Sequence, residues 1–183
     1  MTGVLVLRPM RLADLELLRR WLGYPHFARW FLQDSTVAAE LADNRAAIEG
    51  GDPTVVLIVQ EDGRDVGWCQ WYRWWDYPEE ASAYGALLGE VGIDYGIGEP
   101  DCIGRGLGTA LIAELVAVAR RAEPGTSILV GPSAANLASC RVLAKNGFIP
   151  VGVRDIPGEP NASPLALYRL ASDSGSVGDL NGA

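Results

Sequence analysis

The segment Gly104-Arg105-Gly106-Leu107-Gly108-Thr109 has the residue types of a turn that can receive phosphate. Glycines let the backbone approach a ligand closely, and the first amides of a following helix have no partner within that helix. Their N–H groups suit a pyrophosphate. No Lys-Ser or Lys-Thr follows the glycines, which sets aside the Walker type. A dinucleotide fingerprint would need a glycine at position 109, where the chain has Thr109, and would open a Rossmann unit that most of this chain instead precedes. Taken alone, the turn is either a phosphate cradle or a joint that lets a strand and a helix pack.

A second concentration of chemistry lies in residues 73–89, which show no clear period and hold Trp74, Trp75, Asp76, Tyr77, Glu79 and Glu80. A connection of this length is often functional. Its rings either fill a core or stack on sugar faces or a cation, and its carboxylates attract ammonium groups; of the two readings, a substrate wall is expected. Cys140, on a helix with no base nearby in sequence, is expected to be an inert, partly buried thiol. The single histidine, His26, is expected in a loop, shaping structure or lining substrate, and no residue pattern supports a metal site.

These residues must be positioned by a regular framework, whose order follows from periodicity. Residues 4–7 read as a strand, and Leu12, Leu15, Leu18 and Leu22 as the stripe of a helix. A helix over 38–49 precedes two strands, 54–60 and 66–72, joined at Glu61-Asp62-Gly63 as a hairpin. Strand 91–97 leads into the glycine turn, followed by a helix over 107–121 with the inward stripe Leu111, Leu115, Val118 and Ala122. Strand 127–130, helix 136–146 closed by Gly147, and strands 150–154 and 165–170 complete one domain over 1–171. The tail 172–183 is Gly, Ser and Asp with little apolar content and is expected to be disordered.

The 183-residue chain suits a single core. Its formal net charge of −8 opposes nucleic-acid binding, which needs clustered Lys and Arg; it either suits a small cationic partner or simply keeps the protein in solution. No apolar run approaches the roughly 20 residues that cross a bilayer, and charged residues come too early for a signal peptide. A cytoplasmic protein without membrane contact is expected, with Cys69, Cys102 and Cys140 as reduced thiols.

The glycine turn, its helix, a short strand, Pro132-Ser133, Asn136 and Lys145-Asn146-Gly147-Phe148 together resemble the coenzyme-A-binding half of the GNAT N-acetyltransferase superfamily. The opening Leu7-Arg8-Pro9-Met10 and Asp14-Leu15 extend the resemblance over nearly the whole chain. It implies a mixed α/β fold: a twisted, mostly antiparallel sheet flanked by helices, with acetyl-CoA bound at a splayed strand pair and no metal. The pyrophosphate would lie on the amides of Arg105, Gly106, Leu107, Gly108 and Thr109. Asn136 matches a residue that contacts the pantetheine or phosphate arm, and it also suits a helix N-cap. Family members usually carry Arg or Gln where this chain has Ile103.

Pro25-His26, Arg29-Trp30-Phe31, Gln70-x-Tyr72, the Trp-rich acidic segment and Gly92-Ile93-Asp94 are similar to the aminoglycoside 6′-N-acetyltransferases within that superfamily. Asp94 then matches the carboxylate that holds the amine and accepts its proton, since an ammonium cannot attack a thioester. Backbone N–H groups near Tyr95 or Ile97 would hold the developing oxyanion. Trp30, Gln70, Tyr72, Trp74, Trp75, Asp76, Glu79 and Glu80 would line the substrate. The implied activity is direct acetyl transfer to the 6′-amine of an aminoglycoside, with antibiotic resistance as its consequence. The alternatives are acylation of another metabolite or siderophore amine, and a non-catalytic acyl-CoA sensor. Leu143 stands where many members carry a tyrosine acid, leaving Ser139 or water to protonate the thiolate, and Gly131 stands where the closer antibiotic enzymes carry aspartate. Homodimers are common in such families, and the outer surface of the last strands is open to that role.

Overall fold

The computed structural model describes residues 3–155 and 163–173. Strand β1 (Leu5–Pro9) leads to helices α1 (Leu15–Leu22), α2 (Pro25–Phe31) and α3 (Val37–Ile48). Then come β2 (Val55–Glu61), β3 (Arg64–Arg73), α4 (Pro78–Tyr84), β4 (Val91–Ile97), α5 (Leu107–Ala122), β5 (Ile128–Val130), α6 (Leu137–Lys145), β6 (Ile149–Arg154) and β7 (Leu165–Leu170). One sheet runs in the order β1-β2-β3-β4-β5-β7-β6. Its pairings are antiparallel except the parallel β4–β5 junction. This is the expected mixed α/β fold, and β4 and β7 begin and end where the sequence placed them.

Side chains on a strand alternate between faces, so each face makes its own core. On one, Leu57, Val59, Cys69, Trp71, Val91, Ile93 and Ile128 pack beneath α5 and against Leu143 and Phe148. Each fully buried Leu or Ile there contributes roughly 1.5–3 kcal/mol of transfer free energy. On the other face Val56, Ile58 and Trp68 meet Leu18, Trp21, Leu22, Phe27 and Leu41 from α1–α3. Trp74, Leu129 and Leu167 form a third cluster, joined by Tyr84 of α4.

Several expectations require correction. His26 lies in helix α2, not a loop, because Pro25 occupies its first turn and presets the helical φ. Seven residues were too few to display a period. The segment 73–89 is likewise not an aperiodic loop: it folds as a 3-10 turn, Trp74–Asp76, and then α4, which Pro78 opens and left-handed Gly85 (φ 69°) closes. The buried stripe of α5 is Leu107, Leu111, Ile112, Leu115, Val116 and Ala119. From Leu115 it continues along the four-residue row to Ala119, so Val118 is only partly buried and Ala122 is exposed. In the expected tail, Ser172 and Asp173 are described, with Asp173 paired to Arg120 at 2.5 Å, while 174–183 lie outside the described residues. The edge strand β6 leaves Ile149, Val151 and Val153 exposed.

The carboxylate of Glu90, 1% exposed, fastens the middle of the sheet. It accepts from the Leu87 N–H at 2.7 Å, the Ser127 hydroxyl at 2.9 Å and the Arg169 guanidinium at 2.6 and 3.1 Å. The Glu90 carbonyl accepts from the Trp74 N–H at 3.2 Å. One residue therefore joins the approaches to β4 and β5 with β7. Removing one partner of a buried ion pair strands the other, a loss of about 3 kcal/mol or more. Glu90→Ala is therefore expected to lower chemical-denaturation stability by about that amount, and a change below about 1 kcal/mol, the range of exposed ion pairs, would show that Glu90 does not fasten the strands.

Candidate active site

β4 is paired with β3 over its whole length, from Arg73↔Val91 to Gly67↔Ile97, but meets β5 only at Val91↔Ile128. The two strands part immediately afterwards. The Val91 N–H donates to the Ser127 carbonyl across this junction at 3.1 Å. Backbone groups change edge at every residue, so the N–H groups of Ile93, Tyr95 and Ile97 point toward the parted edge. His26 secures the far end, its Nε2 lying 3.2 Å from the Ile97 carbonyl and 3.1 Å from that of Gly98. The expected structural role of His26 is thus visible, although its setting is helical.

The same alternation puts Asp94 on the face covered by α1–α4. Its cross-strand partner Gln70 donates from Nε2 to Asp94 Oδ2 at 2.8 Å. Burial pushes the Asp94 carboxyl above the ordinary carboxylate range, and the Gln70 bond opposes that shift. Tyr72, two residues along β3, lies so close over Gly92 that an added Cβ would fall 2.4 Å from its ring. Rings of Phe27 and Phe31 press similarly on Gly96, at 2.5 and 2.9 Å. Glycine at 92 and 96 therefore leaves Asp94 projecting between two aromatic walls.

Sequence reasoning missed two further groups around Asp94. Glu40, in the first turn of α3, is raised by burial and additionally by the charges of Asp43, Asp34 and Asp94. Tyr84 of α4 is raised by burial and then by Asp94 and Asp34. Both groups consequently share the electrostatic environment of Asp94. A glutamate in a helix without an apolar stripe gave no local signal for Glu40. Tyr84 had an indirect one in Gly131, where a Cβ would lie 2.8 Å from the Tyr84 ring and 2.9 Å from Leu167. The space that a side chain at position 131 would need is filled here by an aromatic ring.

The expected substrate residues divide. Gln70 and Tyr72 lie beside Asp94, and Tyr72 is raised by burial and also by Asp94 and Glu80. Trp75, Asp76, Glu79 and Glu80 are exposed around the 3-10 turn and α4. Trp30 is half-buried on α2, with the Arg29 guanidinium 4.4 Å over its ring. Trp74 is a correction: at 3% exposure it belongs to the core, its indole N–H donates to the Leu129 carbonyl at 3.3 Å, and it cannot form a solvent-facing wall.

At the other end of β4, Gly104 (φ 76°) and Gly106 (φ 85°) take left-handed conformations that aim an exposed turn into α5. Gly106 is the N-cap and brings no side-chain cap. The Arg105 guanidinium is engaged with buried Glu61 at 3.2 and 3.4 Å, anchoring the turn to the end of β2. Asn136 caps α6 by accepting from the Ser139 N–H at 3.1 Å, the alternative role foreseen for it. The Asn146 amide donates to the Thr109 carbonyl at 3.1 Å and binds the start of α5 to the end of α6. Ile103 is exposed beside the turn and Leu143 is fully buried. Cys140 is half-buried, as expected. Among the described residues no group of three His, Cys, Asp or Glu side chains is placed to hold a metal ion, and no helix is long and apolar enough to cross a membrane.

An exposed turn rich in backbone donors, continuous with a parted strand edge, fits a long thioester carrying a pyrophosphate. A family model described as an acetyltransferase (GNAT) domain matches residues 11–156. Curated relatives named aminoglycoside N(6′)-acetyltransferase type 1, from Klebsiella pneumoniae and Serratia marcescens, are each 28% identical over 164 residues, covering 84% of this chain and 78% of theirs. The solved aminoglycoside acetyltransferase AAC(6′)-Ib with coenzyme A is similar with a TM-score of 0.73 and 25% identity, over 92% of this chain and 95% of that one. The same figures hold for its complex with coenzyme A and kanamycin. The parted β4–β5 edge, the glycine turn and the family match agree: this chain belongs to the GNAT acetyltransferase family and is an acetyl-CoA-dependent N-acetyltransferase.

Proposed function

We propose that the chain acetylates the 6′-amine of an aminoglycoside by direct transfer within a ternary complex. The observation that carries this reading is Asp94, a desolvated carboxylate between aromatic walls on the strand whose other edge is parted from β5. The relatives named for aminoglycoside 6′-acetylation support the same substrate class.

In this reading, acetyl-CoA supplies an activated acetyl group, with its pyrophosphate on the amides of Arg105, Gly106, Leu107, Gly108 and Thr109. The N–H groups of Tyr95 and Ile97 offer donors for the carbonyl oxygen, fixed in advance by the strand. Asp94 holds the substrate ammonium, takes its proton directly or through water, and leaves a neutral amine able to attack. Glu40, with Asp76, Glu79 and Glu80 farther out, draws the remaining cationic groups of the substrate toward the pocket. Gln70 keeps Asp94 oriented, and Tyr72 and Tyr84 limit water access around it. Reduced thiols at all three cysteines fit a cytoplasmic site of action.

Asp94→Asn is expected to cut kcat/KM for kanamycin-class substrates by about 100-fold or more, read as release of free coenzyme A from acetyl-CoA. Transfer to a different class of amine alone would move the substrate assignment, and acetyl-CoA binding without transfer to any amine would favour a sensor.

A raised carboxyl pKa also has a stability consequence. Protonated Asp94 favours the folded state, and that contribution is lost as pH rises through its folded pKa. Above that pKa the charge is a net burden on folding, so Asp94→Asn is expected to raise Tm there while lowering turnover; a lowered Tm would contradict the burial argument. Because Gln70 favours the ionised form, Gln70→Leu should raise the Asp94 pKa further and move the acid limb of kcat/KM to higher pH. An unmoved limb would mean that Asp94 is not the titrating group.

A further inference from the structure

Acetyl transfer leaves a thiolate that needs a proton, and the fully buried Leu143 has none to give. Resting on the acetyltransferase reading above, we propose that Tyr95 is the acid that protonates the departing thiolate, with Ser139 as the hydroxyl that reloads it.

Three features of the molecule carry the assignment. Tyr95 follows Asp94 in β4, so its side chain leaves the sheet on the opposite face while its N–H addresses the parted edge. Its hydroxyl lies 2.6 Å from Ser139 Oγ in the first turns of α6, so the ring crosses from β4 to α6 beyond the last β4–β5 contact. It also remains half-buried rather than sealed in the core, unlike Ile93 before it. A thioester lying along the parted edge would therefore have the attacking amine on the Asp94 side and the sulfur within reach of the Tyr95 side.

Ser139 is held in place independently, because its backbone N–H donates to the Asn136 side chain and its residue is buried. Its hydroxyl can thus donate to Tyr95 Oη and leave the phenol proton directed at sulfur. The N–C bond forms as the C–S bond breaks, and the electron pair departs on sulfur. Sulfur takes the Tyr95 proton, Tyr95 takes the Ser139 proton, and Ser139 is replenished from water at the exposed start of α6. The substrate nitrogen gives up two protons through Asp94, one before attack and one as the amide forms, and the second offsets the proton drawn from water, so charge balances. Burial raises the Tyr95 hydroxyl pKa, which keeps it protonated at neutral pH, while the Ser139 bond opposes the shift and stabilises the transient phenolate.

The test uses the full-length wild type, Tyr95→Phe and Ser139→Ala, with folding verified by circular dichroism and Tm. Tyr95→Phe is expected to lower kcat by about 100-fold with little change in acetyl-CoA affinity, and Ser139→Ala by a smaller factor. The double variant should be no worse than Tyr95→Phe alone, since the two act in one relay. A second readout needs no amine: the thiolate absorbance of bound coenzyme A is followed against pH. Loss of a donor to the thiolate should move that titration upward by roughly one pH unit in Tyr95→Phe. An unchanged titration, or a kcat loss explained by weakened acetyl-CoA binding, would overturn the assignment. Failure of wild type to acetylate aminoglycosides would overturn the substrate reading while leaving the thiolate titration as the judge of Tyr95.

Discussion

The buried carboxylate of Glu90 determines where the sheet can open. A desolvated negative charge needs several donors, and those available come from the Leu87 backbone, Ser127 before β5 and Arg169 on β7. Holding them converges the three chain segments at one point. From there β4 continues along β3, whereas β5 turns away after three residues. Had the pairing continued, the N–H groups of Ile93, Tyr95 and Ile97 would be used up within the sheet. The parted edge thus depends on a rigid junction immediately before it, and the glycine turn is aimed by the same strand.

The two faces of β4 then separate two kinds of proton chemistry. Asp94 projects between aromatic rings on the face covered by α1–α4, and Tyr95 projects toward α6, only one residue apart in the chain. This separation follows from strand geometry alone. Glu40 and Asp94 are both burdened by desolvation, and an incoming polycation would relieve both, so part of the affinity for a cationic substrate is held as unfavourable charge in its absence. The supports of the site are placed accordingly: Glu99 gathers Arg20, the Trp21 indole and Arg64, tying α1 and β3 to the segment between β4 and the glycine turn.

The backbone of this arrangement was legible because its signals are local. β-branched and apolar residues delimit β4, glycines mark the turn, and α5 displays its period over 16 residues. The strand, the glycine turn and the helix after it were therefore readable, and with them the place of Asp94 on β4. The substrate half was less so, because α2 and α4 are seven residues each and begin with prolines that look like loop residues in sequence. Trp74 was misplaced for the same reason: once the 3-10 turn forms, its ring folds inward over Leu129 and Leu167. Glu40 reaches the site through the packing of α3, a tertiary relation with no counterpart in spacing.

The two departures from the family pattern acquire a common logic in three dimensions. At Gly131 the missing side chain makes room for Tyr84, which packs against Trp74 with ring centroids 4.8 Å apart and feels the charge of Asp94. At Leu143 the missing hydroxyl is matched by a tyrosine entering from β4 instead of α6, whose oxygen meets α6 one turn earlier at Ser139. In each case a tyrosine from another element, Tyr84 of α4 or Tyr95 of β4, occupies the neighbourhood of the absent side chain. Chemistry at a parted sheet edge requires a group at a place in space, and neighbouring strands and helices offer more than one residue from which to supply it.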